Sequence, residues 1–129
     1  MELGGIESMI EPIPLPIDNV VGFRIDSKIN AEDISRITDV IELRLKRHPK
    51  LRVFAEVKNF TGMSVEAFLK DITFSLRHMK DFEREAIVSD AAWLEKPANI
   101  GDRMFPSIEV RHFSVSEKDQ ALKWIINQR

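Results

Sequence analysis

Two hydrophobic rhythms take turns along this chain, and their alternation constrains the fold more than any other feature. From Asn19 to Lys28, Val21, Phe23 and Ile25 fall on one side, with Gly22, Arg24 and Asp26 on the other, the two-residue period of a half-buried strand. Asn30 followed by Asp33 then has the form of an N-cap with its N3 partner. It opens a helix whose apolar positions Ile34, Ile37, Ile41 and Leu45 recur at helical spacing until Pro49. Leu51 to Val57 alternates again. Ser64 caps a second helix carrying Val65, Phe68, Leu69, Ile72, Leu76 and Met79 at steps of three or four. Glu85 to Ser89 reads as a short buried strand, and Ala91 to about Lys96 as helical until Pro97 interrupts it. Ser107 to Phe113 alternates once more. Ser116 with Asp119 opens a last helix through Ala121, Leu122, Ile125 and Ile126.

The expected order is therefore β-β-α-β-α-β-α-β-α. Helices between strands imply mostly parallel pairing with right-handed crossovers, so the fold class is α/β: a mixed, mostly parallel five-stranded sheet with about four helices. Residues 1–129 make one domain. The stretch 1–18, with Pro12, Pro14 and Pro16, is expected to be an extended arm or edge strand whose strand character stops near Glu11. Charges alternating through Arg52 to Lys58 and Glu109 to Arg111 predict a sheet face that is only partly covered.

Composition excludes several classes. With 43% hydrophobic and 31% charged residues, the chain can bury enough apolar surface to fold. It has no cysteine, so no disulfide forms. Nineteen Lys and Arg against 21 Asp and Glu give a net charge of −2, without the basic excess that nucleic-acid backbones demand. No apolar run is long enough to cross a membrane, and Glu2 stands where a signal peptide wants a cation, which points to a cytoplasmic protein.

The signatures of catalysis are missing. His48, His78 and His112 fall in different elements without metal-ligand spacing. Gly62-Met63-Ser64-Val65-Glu66 lacks the second glycine of a nucleophile elbow, so Ser64 reads as a cap. The glycines match no phosphate-cradling fingerprint, and no carboxylate pair stands out for acid–base work. The expectation is a protein that is not an enzyme and carries no metal or cofactor.

Four features remain as candidates for function. On the second helix, Ala67, Asp71, Phe74 and His78 form a stripe opposite the main apolar face, where an aromatic such as Phe74 meets a ligand, a partner, a membrane or a neighbouring helix. Trp93, Met104 and Phe105 flank the irregular Pro97 to Gly101 segment, a composition suited to a flap with an apolar underside, or to a loop pinned by core aromatics. Phe60 to Met63 lie between a strand and a helix, where open α/β sheets place ligands. Arg44, Lys46, Arg47, Lys50 and Arg52 form a basic cluster that reads as a solvated helix end, or as a surface for anionic head groups.

Val57-Lys58-Asn59-Phe60-Thr61-Gly62-Met63-Ser64, Ala67-Phe68, Asp71, Phe74, His78, Phe82-Glu83-Arg84, Ala86-Ile87-Val88, Asp90 and Trp93 together resemble the SpoIIAA-like family, as does the ending Ala121-Leu122-Lys123-Trp124-Ile125. The resemblance implies a STAS-type fold, akin to the SEC14 or CRAL-TRIO lipid carriers. It further implies non-enzymatic binding of a hydrophobic or lipid-like ligand, reversible membrane association and a homodimer. The resemblance places Phe68, Phe74, His78 and Trp93 where such a ligand or a dimer surface would lie; with Phe60, Met63, Asp71, Met104 and Phe105, singled out above by their positions, they make up the expected ligand-binding set. The alternative is a STAS-type regulatory interaction domain controlled by phosphorylation, as in anti-sigma-factor antagonists, with Ser64 as the phosphorylation candidate. Those antagonists carry an Asp-Ser-Ser-Gly-like turn where this chain has Thr61-Gly62-Met63-Ser64.

Overall fold

The computed structural model describes residues 9–63, 80–90 and 108–127 together with positions 67, 70, 71, 73, 74, 77 and 78. Strands β1 (Met9–Ile13) and β2 (Val20–Ile29) lead into helix α1 (Ala31–Leu45). After it come β3 (Leu51–Met63), β4 (Phe82–Val88) and β5 (Glu109–Phe113), then a 3₁₀ turn (Val115–Glu117) and helix α2 (Lys118–Ile126). Two helices with defined bounds thus stand among the described residues where about four were expected, and the order of described elements differs accordingly. The described positions 67, 70, 71, 73, 74 and 77 of the β3–β4 crossover are helical. The expected helix after Ala91 lies outside the described residues.

The five strands lie in chain order, β1-β2-β3-β4-β5, with β1 antiparallel to β2 and every later pair parallel. Parallel crossovers are right-handed, so strands added always in the same direction carry their connections on the same face. The packing agrees. Ile41 of α1 and Phe74 of the crossover join Val21, Phe23, Leu51, Phe82 and Ile108 in one buried cluster. Ala121 and Ile125 of α2 join Val20, Phe54, Ala86 and Val88 in a cluster on the opposite face.

Local sequence explains the element boundaries. The Asn30 side chain accepts from the Asp33 N–H at 2.9 Å, while Asp33 Oδ2 accepts from the Asn30 N–H at 2.8 Å, closing the anticipated capping box. The last helix opens differently: Ser114, not Ser116, begins the turn, its N–H donating to the Glu117 carboxylate at 2.9 Å. Strand β1 runs through Pro12, opposite Phe23, beyond the expected stop at Glu11. An edge strand needs ladder donors on one side only, so proline is accommodated there. Gly22 lets β1 approach closely, because a Cβ at that position would stand 2.9 Å from the Ile13 carbonyl oxygen. A register shift between Asp26 and Lys28 lets β3 continue to Met63, paired with Ile29, so Phe60 to Met63 extend the strand and do not form a loop.

Glu109 and Arg111 of β5 are exposed, as the alternation predicts, but the alternating charges of β3 do not mark an open face. Arg52 and Glu56 are 5% and 3% exposed. The Arg52 guanidinium donates to Glu83 at 3.0 Å, to the Ile125 carbonyl at 3.0 Å and to the Asn127 carbonyl, while Arg84 donates to the Trp124 carbonyl at 2.7 Å. Two strand arginines thereby satisfy the orphan carbonyls at the C-terminus of α2. Glu56 accepts from Arg24 at 3.1 Å and Lys118 at 3.2 Å, and these cations hold its pKa below the usual carboxylate range against the opposing pull of burial. The basic cluster is divided likewise. Arg44, Arg47 and His48 gather on Asp18, whose carboxyl is held down to about 2, chiefly by hydrogen bonds from Arg47 and His48, while Arg52 turns to the α2 face.

Candidate functional site

Because strand order never reverses, this sheet lacks the crevice that doubly wound sheets open at a reversal. A groove opens on one face instead, between two parallel crossover segments. Ile34, Ser35 and Thr38 of α1 form one wall, and Lys70, Thr73, Phe74 and Arg77 of the β3–β4 crossover form the other, around a cavity of about 470 Å³. Helical spacing creates these walls, since positions three, four and seven apart share a face. Buried Ile34 and Phe74 make an apolar floor. Ser35, Thr38 and Thr73 contribute hydroxyls above it, and Lys70 and Arg77 are exposed at the rim.

A polar tie joins the two walls: Lys70 Nζ donates to Ser35 Oγ at 2.9 Å, while within α1 the Thr38 hydroxyl donates to the Ser35 carbonyl at 3.0 Å. Farther along, His78 Nδ1 stands 2.8 Å from Asp81 Oδ2, and Nε2 stands 3.6 Å from Glu42 Oε2 on α1. The His78 ring packs against Phe74 with centroids 4.4 Å apart, so the floor of the groove is fixed from its far end.

Carboxyl chemistry adds a second feature on this face. Glu85 of β4 is in register with Val53 and Val110, which pack against the α1-side core. Burial, reinforced by the negative charge of Asp71, pushes Glu85 up to about 7. Asp71 is exposed to solvent on one side, yet the protein crowding its carboxyl raises its pKa as well. The α2 face pairs its buried acid with cations, whereas here two acids face one another.

The residues singled out by sequence fall in different places. Phe74 is only 8% exposed and belongs to the core, buried partly by Ile41 of the neighbouring helix, so the expected protruding aromatic is a floor residue. His78 is half-buried beside it, and Asp71 is exposed toward Glu85. The backbones of Phe60 and Met63 lie in β3. Ser64, Phe68, Trp93, Met104 and Phe105 lie outside the described residues. The sequence reading missed Ile34, Ser35, Thr38, Lys70, Thr73 and Arg77, although Lys70, Thr73, Phe74 and Arg77 form a second helical stripe one position away from the one that was noticed.

A SpoIIAA-like family model matches residues 20–126. The chain belongs to the SpoIIAA-like family. The fold of this SpoIIAA-like protein is also that of an uncharacterized DUF3478-family protein with a SpoIIAA-like fold from Shewanella loihica PV-4. That similarity has a TM-score of 0.73 at 24% identity, covering 92% of this chain and 93% of the other. No curated protein matches it. Among the described residues of this SpoIIAA-like chain, no helix is long and apolar enough to cross a membrane.

Proposed function

We propose that the chain is a non-enzymatic STAS-type regulatory interaction domain that recognises a partner protein through its helical crossover face. One observation carries this reading: the open groove between α1 and the β3–β4 crossover, where the largely buried side chains of Ile34 and Phe74 form an apolar floor beneath a cationic, hydroxyl-bearing rim. Such a surface offers anchoring pockets and orienting polar groups together. In this reading Ser64, the residue after the end of β3 in the sequence, is the phosphorylation candidate, and a phosphate there would control partner binding. The test is affinity capture from cells by full-length wild type and by Ser64→Asp. A discrete partner whose recovery changes at least fivefold supports the reading, and the absence of any partner with both forms overturns it.

The apolar floor of Ile34 and Phe74 also favours a second reading, a small hydrophobic or lipid-like ligand held on the same face, with reversible membrane contact and a homodimeric form. Native mass spectrometry of the purified chain tests it. A bound lipid mass that survives desalting supports the carrier reading, and a bare polypeptide mass together with no sedimentation on liposomes removes it.

A further inference from the structure

We infer that the groove between α1 and the β3–β4 crossover receives an acidic amphipathic helix of a partner protein, with Lys70 and Arg77 each meeting a carboxylate and apolar side chains descending onto Ile34 and Phe74. This rests on the interaction-domain reading and names the chemistry of the partner.

The charge arrangement carries the argument. Arg24, Arg47, Arg52, Arg84 and Lys118 each stand within ion-pair distance of a carboxylate of this chain. Among the described residues, Lys70 has only the Ser35 hydroxyl at 2.9 Å and Arg77 has no carboxylate within that distance, as is also true of Lys46 and Lys50; what distinguishes Lys70 and Arg77 is that both line one groove. Among the described residues, the groove lining contains no acid. A chain of net charge −2 repels acidic partners weakly overall, so attraction is local to this rim.

Dimensions specify the partner further. Lys70 and Arg77 are seven residues apart on a helix, about 10.5 Å along its axis at 1.5 Å per residue. A helix laid alongside matches them with acids at i and i+7, and its positions i+3 and i+4 fall between, over Phe74 and Ile34. A cavity of about 470 Å³ admits a few side chains and not a whole helix, so the partner backbone rides above the rim. The Lys70 ammonium exchanges a neutral hydroxyl for a carboxylate, a stronger, charge-assisted bond.

The probe is a fluorescent, helix-stabilised peptide of about 18 residues with Glu at i and i+7 bracketing Leu at i+3 and i+4, titrated by anisotropy into the full chain at low salt. A second peptide carries Lys in place of both Glu. Wild type binds the acidic peptide saturably and at least tenfold more tightly than the basic one. Lys70→Glu with Arg77→Glu reverses that preference, and Thr73→Trp, which fills the groove without changing charge, weakens acidic-peptide binding at least fivefold. Circular dichroism melts establish that the variants are folded, and the wild-type preference alone is decisive if either is not. Equal affinity for the two peptides, no binding, or binding only to phosphatidylglycerol vesicles or dodecanoate overturns the inference. Cellular partner capture that survives the double charge reversal overturns it too, and leaves the interaction-domain reading standing. Acidic-peptide binding without any captured partner overturns that reading alone.

Discussion

The two faces of the sheet treat charge in opposite ways. On the α2 face, Arg52 and Glu56 are buried with every partner supplied from within the chain, and Arg52 and Arg84 close the helix end. On the α1 face, Lys70 and Arg77 stand at a groove whose described lining holds no acid, and half-buried Glu85 faces another carboxylate. Internal pairing stabilises a fold, whereas charges left without internal partners are kept at a cost that recognition can offset. The α2 side thus reads as scaffold and the α1 side as working surface.

The largest expected effect sets one core aromatic from each face against the other. Phe54, fully buried on the α2 face, should cost about 4 kcal/mol when changed to Ala. Phe74, 8% exposed at the groove floor, should cost about 2 to 3 kcal/mol, because water can enter the space it leaves. Urea denaturation measures both, and equal losses would erase the distinction between a closed and an open face. Next, Arg52→Met keeps much of the side-chain bulk but uncaps α2 and should destabilise by about 3 kcal/mol, with faster amide exchange in α2. Unchanged exchange there would mean the guanidinium does not hold the helix.

Glu85 should show the smaller, pH-dependent effect. Its folded pKa of about 7 lies above the ordinary glutamate value of 4.5, so the folded state holds the proton more tightly. The contribution of this group to stability is therefore fully present below the unfolded value and is lost as pH rises through about 7. Glu85→Gln should raise stability at pH 8 by roughly 1 to 3 kcal/mol and flatten that part of the pH profile. A profile identical to wild type sinks the assignment. Smallest of all, Lys70→Glu with Arg77→Glu should shift stability by less than about 0.5 kcal/mol, since both are exposed. A larger loss would make the rim part of the scaffold.

Much of the scaffold was legible in residue patterns. Period-two runs located β2 and the first part of β3, and the Asn30 and Asp33 pairing located the start of α1, because those signals are local. The burial of Arg52 and Glu56 was not legible, because a charged residue on an alternating strand reads as solvent-facing until its partners from Lys118 and Asn127 are known. Phe74 misled for a related reason. A helical wheel assigns it to the polar side, but the adjacent α1 wraps far enough around to bury it. The groove depends on how far two helices stand apart, a distance that neither helix encodes alone.

The grip of Arg52 on α2 spans 73 residues of chain to Ile125. That contact cannot form until the central strands have aligned, so docking of the last helix is a late event in folding and its release an early one in unfolding. Partial opening should therefore begin on the side that looks best secured, uncovering two guanidinium groups together while the recognition face stays assembled.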